Sequence, residues 1–203
     1  MTRILAVAAL AVLAVGCAPR RVYLNRDLGT ALVLIPLNNS MNVEAPLKMW
    51  RYVEHEVAGR GYRLVPRPAV EKFYEDKGFT GDPGQIESFD SKELAKTFHA
   101  DVVVWPTIES WGKKTLGVYT AIEVKLTAWI DDREGNELWK GEGEHGSSST
   151  AGSWKAALYD TVGAAATDPV KFAPGAAANC FASLPWAGWD PAVARDPEPP
   201  PGK

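Results

Sequence analysis

The sequence has 203 residues, 46% of them hydrophobic, and its 22 basic and 25 acidic side chains give a formal net charge of −3. This length and apolar content suit one folded domain with a real core. The mildly acidic balance, without any cluster of lysine and arginine, argues against nucleic acid as a partner.

The first seventeen residues have the layout of an export signal. Arg3 precedes an apolar run from Ile4 to Val15, and Gly16 stands directly before Cys17. A run of about twelve apolar residues is too short to cross a hydrocarbon core, which needs roughly 20. The segment AVGC at its end has the form of a bacterial lipobox, so we predict that residues 1–16 are removed and that Cys17 is acylated, for example with palmitate. Simple secretion with an incidental cysteine is the alternative.

The residues after the cysteine predict where the protein is held. Residues 17–30 are polar and without periodicity, which is typical of a lipidated tether. Ala18 stands in the position where, by analogy with enteric bacteria, an aspartate would retain a lipoprotein at the inner membrane. We therefore predict an outer-membrane anchor contacting lipid through Cys17, with the domain facing the periplasm.

The folded part opens as a β-α-β unit. The continuous apolar run Ala31–Ile35 predicts a strand buried on both faces. A helix is expected from near Asn42, since apolar residues then recur at helical spacing, and Tyr62–Val65 predicts a second short strand. Such units are almost always right-handed, with parallel strands.

The later elements change in character. Asp90 followed by Glu93 predicts a helix N-terminus, and the run Asp101–Trp105 predicts a third buried strand. From Leu116 to Ile130 apolar and polar residues alternate almost strictly, as in a long strand with one solvent-exposed face. The further expected elements are a helix at residues 69–77, a turn at 133–136 into a hairpin strand at 137–144, a serine loop at 147–149, a helix at 151–166, and a proline-rich disordered tail at 187–203. The prediction is one α/β domain of two or three layers with a mixed sheet, spanning residues 31–186.

The motifs that might carry chemistry are weak. Residues 141–146 match G-x-G-x-x-G, but the match comes late, on a hairpin strand, with two carboxylates facing any phosphate. An edge strand of small residues, packed closely by another backbone, explains it better. On a strand, Glu142 and Glu144 share one face and His145 the other, so they do not converge on a metal. We predict neither cofactor nor metal and, because no nucleophile or acid–base set is assembled, no enzyme.

Two residue types remain as candidates for other roles. If Cys17 carries lipid, Cys180 has no partner in the chain, and its Ala/Gly-rich surroundings favour burial over pairing with another molecule. Trp111, Trp186 and Trp189 lie in segments rich in glycine and proline, which we interpret as loops. Core packing is the simplest role for such residues, and contact with a partner protein is the functional alternative.

A resemblance to a known family adds to this picture. It rests on four segments in order: Pro36-Leu37-Asn38-Asn39-Ser40, Ala100-Asp101, Trp111-Gly112, and Gly135-x-x-Leu138-Trp139-x-Gly141. Together with the lipobox they resemble a family of Gram-negative outer-membrane lipoproteins, domain-of-unknown-function family 799, which includes a neisserial surface antigen. His99 stands where members often have glycine. The resemblance implies a fold like the TolB N-terminal domain and the periplasmic domains of CsgG and LpoB, and it implies no catalytic residues.

The functional prediction is therefore an accessory lipoprotein of envelope assembly or secretion that acts through protein contacts, with a CsgG-like pore as one partner. An LpoB-like activator of a peptidoglycan synthase and a small-ligand-binding periplasmic module are the alternatives.

Overall fold

The computed structural model describes residues 21–24, 26, 28–80, 82–116, 119–150 and 168–188. Four predicted features lie outside the described residues. They are the signal with Cys17, the helix at 151–166, Trp189, and nearly all of the proline-rich tail.

Six strands and five α-helices make up the described fold. The strands are β1 (Thr30–Val33), β2 (Leu37–Asn38), β3 (Arg63–Leu64), β4 (Val102–Leu116), β5 (Tyr119–Asp132) and β6 (Glu137–Thr150). The helices are α1 (Ala45–Gly59), α2 (Arg67–Asp76), α3 (Pro83–Glu87), α4 (Ser91–Phe98) and α5 (Ala173–Cys180), with short 3-10 helices at Pro169–Phe172 and Phe181–Ser183.

The strands form one mixed sheet in the order β3-β1-β4-β5-β6, with β2 pairing further along the β4 edge. β1 runs parallel to both β3 and β4, so β1-α1-β3 is the predicted β-α-β unit. β4, β5 and β6 form an antiparallel meander. The predicted mixed α/β fold is confirmed.

Helices cover both faces of this sheet. α5 lies over β5 and β6 and also contacts α1. On the opposite face the indole N–H of Trp105 in β4 donates to Ser91 Oγ in α4 at 3.0 Å. The domain therefore has three layers, and the apolar residues of β1 and β4 are buried between them.

Two glycines explain how closely α5 lies on the sheet. A Cβ on Gly143 would overlap the backbone of Cys180 and Ala176, and one on Gly141 would overlap the carbonyl oxygen of Cys180. The glycines of the G-x-G-x-x-G match thus admit a helix backbone, as the small-residue interpretation predicted. Glu142 pairs with Lys125 at 2.6 Å, while His145 packs beside Phe172 on the other face.

Several predicted boundaries were wrong, for identifiable reasons. Residues 147–149 were expected to form a loop, yet β6 continues to Thr150 because each residue pairs with β5. β4 extends to Leu116, well beyond the predicted Asp101–Trp105. α5 was not predicted at all, since alanine, glycine and proline give it little periodic signal.

Candidate functional site

The tryptophans singled out from the sequence have different environments. Trp111 lies within β4 rather than in a loop, and it is only 5% exposed. Its register partner is Val124, so it shares the α5 face of the sheet, and its indole N–H has no hydrogen-bond partner among the described residues. Within this chain Trp111 is a core residue.

Trp186 is half-buried and joins the two ends of the described chain. Its backbone N–H donates to Val22 O at 2.8 Å, and Leu24 N donates to Trp186 O at 3.3 Å. The Arg21 guanidinium lies 4.0 Å from the indole centroid and that of Arg60 lies 5.8 Å away. The faces of this indole are therefore used inside the chain, where they hold the segment that follows the predicted anchor.

The same contacts fix that segment on the end of α1. Ala187 N donates to Arg60 O at 2.9 Å, and the Arg60 guanidinium donates to the carbonyl oxygens of Ala182 and Leu184. Arg60 directly follows α1. Residues 21–24, part of the predicted tether, are thus seated on the domain at the C-terminal end of α1.

At the opposite end of α1 lies an open apolar cavity of about 510 Å³, here called the groove. It is bounded by the segment after β1, the first turns of α1, the last turns of α2, residues 79–80, and Ile86 of α3. Apolar side chains dominate its lining, namely Ile35, Pro36, Leu37, Val43, Pro46, Leu47, Trp50, Phe79 and Ile86.

The apolar rim of the groove is solvent-exposed. Val43 and Leu47, which line the groove, have relative exposures of 88% and 60%, and Met41, in the turn just before Val43, is 102% exposed. The exposed residues Met41 and Val43 lie in or next to an ordered turn at residues 38–42. In this turn Asn38 Nδ2 donates to Asn42 O at 2.9 Å, and Ser40 Oγ donates to Asn38 Oδ1 at 2.6 Å. Because side-chain bonds close the turn, its apolar side chains are directed outward and do not collapse onto the core.

Two polar groups at the floor of the groove are hydrogen-bonded within the chain. The Trp50 indole N–H donates to Val33 O at 3.1 Å, and the Ile35 N–H donates to the Tyr74 hydroxyl oxygen at 3.2 Å. Burial raises the pKa of Tyr74, so the phenol stays neutral. The lining of the groove is therefore mainly apolar and suits an apolar group.

Two carboxylates, Glu71 and Glu75, stand at the mouth of the groove. They are four residues apart on α2, exposed, and make no salt bridge to any residue that the structure describes. The nearby Arg67 is paired with Glu54, which raises the pKa of that guanidinium. Like charges at this spacing repel one another across about 5–6 Å of helix surface. The mouth therefore has a local negative potential next to an apolar surface.

A second cavity, of about 540 Å³, lies on the α4 face beside the stacked rings of Trp105 and Trp129. Its central polar groups bond one another: Ser91 Oγ donates to Asp131 at 2.6 Å while accepting from Trp105. Among the described residues, histidine, cysteine and carboxylate side chains form no group of three or more that could hold a metal. No described helix is long and apolar enough to cross a membrane.

Sequence reasoning did not identify the groove. Its signal was present in Met41 and Val43, which are apolar residues in a turn where neither helical nor strand periodicity accounts for them. Their meaning depends on Glu71 and Glu75, which the fold brings from another element.

Comparison with known proteins identifies the family. The family described as "Putative lipoprotein GNA1162-like" matches residues 25–171. The chain belongs to this family. It is 27% identical over 145 residues to the Neisseria meningitidis serogroup B (strain ATCC BAA-335 / MC58) protein "Putative lipoprotein NMB1124/NMB1162", a match covering 68% of this chain and 66% of that protein. The chain thus spans slightly less than two thirds of this curated relative.

Three solved structures are similar to the chain. The crystal structure of lipoprotein GNA1162 from N. meningitidis has a TM-score of 0.54 at 24% identity and covers 66% of this chain and 94% of its own. PelC from Paraburkholderia phytofirmans, solved as a dodecamer, has a TM-score of 0.47 at 14% identity, covering 82% and 95%. The LpoB C-terminal domain from Escherichia coli has a TM-score of 0.41 at 12% identity, covering 67% and 92%. The first likeness supports the fold alone, and the two weaker ones carry no argument.

Proposed function

We propose that this lipoprotein is anchored in the outer membrane through acylated Cys17, faces the periplasm, and acts without catalysis in envelope assembly or secretion by contacting another protein. Its membership of a lipoprotein family supports the anchor, as does the AVGC segment after an apolar export signal. The observation that carries the contact role is the groove with its exposed apolar rim.

The chemistry of the groove defines the partner segment. Met41, Val43 and Leu47 offer apolar area whose burial is favourable by roughly 25 cal/mol per Å². Glu71 and Glu75 attract a cation and repel the phosphate of an anionic lipid or an acidic ligand. The segment that fits is therefore part of a protein and presents an apolar side chain close to a lysine or arginine. A CsgG-like pore is the class of partner that the family resemblance favours.

Replacement of the anchor cysteine tests the location. Cys17→Ser removes the sulfur atom to which the predicted lipid is attached, so we expect the variant to leave the outer-membrane fraction and appear as soluble periplasmic protein. Fractionation together with intact-mass analysis of the wild-type chain measures this. Cys180→Ser is the matched control, because it removes a buried thiol and leaves the anchor in place. A Cys17→Ser variant that stays membrane-bound, or a wild-type chain without acyl mass, would refute the anchor.

Photocrosslinking in living cells tests the groove. A photoreactive amino acid at Leu47 should give one discrete protein adduct, whereas the same group at exposed Lys96 on α4 should not. The double reversal Glu71→Lys/Glu75→Lys should reduce this adduct at least tenfold. The matched reversal Glu134→Lys/Glu137→Lys, at the β5–β6 turn, should leave it unchanged.

The position of the crosslink in the partner decides between the hypotheses. Attachment within a few residues of a lysine or arginine on a secretion or assembly protein supports the proposal. A peptidoglycan synthase as the main adduct would favour the LpoB-like alternative. Absence of an adduct, insensitivity to the charge reversal, or a small molecule found in the groove by native mass spectrometry would contradict it.

A further inference from the structure

We infer that the end of the domain opposite the groove is a membrane-contact surface that sits on anionic phospholipid headgroups. We call this surface the anchor end and define it by Arg21, Val22, Arg60, Arg63 and Trp186. The inference rests on the proposed anchor at Cys17 and goes beyond it, because it states which face of the domain lies against the bilayer.

Chain length supplies the first argument. Arg21 is held against Trp186, and only four peptide steps separate it from Cys17. At no more than about 3.6 Å per residue, these steps span at most about 14 Å. A lipid on Cys17 therefore brings the anchor end close to the headgroups, and the domain cannot turn its groove end toward the bilayer while this contact holds.

The composition of the anchor end supplies the second argument. Arg21 and Arg63 are exposed, Val22 is 66% exposed, and Trp186 is half-buried between Arg21 and Arg60. Arginine and tryptophan are residues that settle at a membrane interface, where the charged or polar part meets headgroups and the apolar part is sheltered. Each basic side chain near an anionic surface adds to its attraction.

Two neighbouring carboxylates are engaged in contacts within the domain. Asp101 and Asp132 lie at the same edge of the sheet, but both are buried. Asp101 is bonded to Arg133 and to the backbone N–H groups of Gly29 and Thr30, while Asp132 accepts from the β5–β6 turn. Arg21 and Arg60 therefore supply positive charge next to Trp186.

The orientation has a consequence for the partner. α1 has 15 residues, so the groove and the anchor end are about 22 Å apart along this helix. With the basic end on the bilayer, the acidic mouth of the groove is directed away from it, toward proteins of the aqueous compartment.

Two probe positions on the same helix measure the orientation. Ala58 is exposed at the C-terminal end of α1, and Leu47 is exposed at its N-terminal end. Cysteines introduced there accept a fluorophore without interference from Cys180, which is buried and whose pKa burial raises to about 12. The lipidated full-length mature protein is reconstituted in phosphatidylcholine vesicles, with or without phosphatidylglycerol, that carry a headgroup quencher.

We expect phosphatidylglycerol to increase quenching at residue 58 several-fold and to leave residue 47 unchanged. Arg21→Glu/Arg63→Glu should abolish the increase, and so should high salt, since the Debye length falls from about 10 Å at 0.1 M to about 3 Å at 1 M. The matched double reversal Arg51→Glu/Lys72→Glu, at exposed cations elsewhere, should retain it.

The outcomes separate this inference from the anchor itself. Equal quenching at both positions, or an increase that survives the Arg21/Arg63 reversal, overturns the membrane-contact surface while the protein still floats with the vesicles. Failure of the wild-type protein to float overturns the anchor, and the inference with it.

Discussion

His99 follows the last turn of α4, and its backbone has a conformation that residues other than glycine rarely adopt. Its φ of 51° and ψ of 39° lie in the left-handed region, and Ala100 N donates to Ala95 O at 2.9 Å, which closes a Schellman motif. Glycine is the usual residue at this position because it has no Cβ, and the family resemblance indicated glycine here as well. The histidine therefore keeps the turn at a conformational cost.

We predict that His99→Gly stabilises the domain by about 0.5–1 kcal/mol, because relief of left-handed strain exceeds the added entropy of an unfolded glycine. The exposed imidazole contributes no packing that would be lost. Urea unfolding of the mature chain measures this as a higher midpoint at an unchanged m-value.

Gly78 is the matched control for this prediction. Its φ is 65° and a Cβ there would meet no atom within 4 Å, so Gly78→Ala adds left-handed strain without a steric clash, and the strain should outweigh the lower entropy of the unfolded chain and destabilise by about 1 kcal/mol. A midpoint for His99→Gly at or below that of the wild type would show that the histidine stabilises the turn.

At the scale of elements, α5 packs closely on β6. Gly143 and Gly141 admit the helix backbone near Ala176 and Cys180, with no room for a Cβ. This contact buries one side of an alanine-rich helix that has weak intrinsic amphipathicity, so tertiary packing rather than propensity determines that it forms.

Gly143→Ala should therefore destabilise the domain by about 3 kcal/mol or more, because the new methyl group overlaps backbone atoms that cannot rotate away. Thermal unfolding followed by circular dichroism checks this. Gly59→Ala is the matched substitution. Gly59 is the last residue of α1, and a Cβ there would meet no atom within 4 Å, so the stability should be equal or slightly higher. Similar melting temperatures for the two variants would disprove the close approach.

At the scale of the whole molecule, the two ends of α1 differ in chemistry. One end carries arginines around Trp186 and the other carries an apolar groove with Glu71 and Glu75 at its mouth. This polarity fits a protein held at one end and available for contact at the other. Under the proposed anchor, it also disfavours stacking of copies end to end, since each copy's basic end would have to leave the membrane to reach a neighbour's groove.

What the sequence determined by itself was local order. Continuous apolar runs predicted β1 and the start of β4, alternation predicted β5, and Asp90 predicted the α4 N-terminus, where its carboxylate accepts from Lys92 N and Glu93 N. These features depend on neighbours within a few residues, which a sequence displays directly. The export signal and acylation of Cys17 are predictions of the same local kind.

Only the tertiary structure decided which distant residues meet. The contact of Trp186 with Arg21, the approach of Cys180 to Gly143, and the placement of Glu71 beside Leu47 join segments that are far apart in the chain. Burial and long-range packing determine these contacts, and local secondary-structure propensity does not predict them. For that reason only the tertiary structure revealed the groove and the anchor end, while most of the helices and strands around them could be predicted from the sequence.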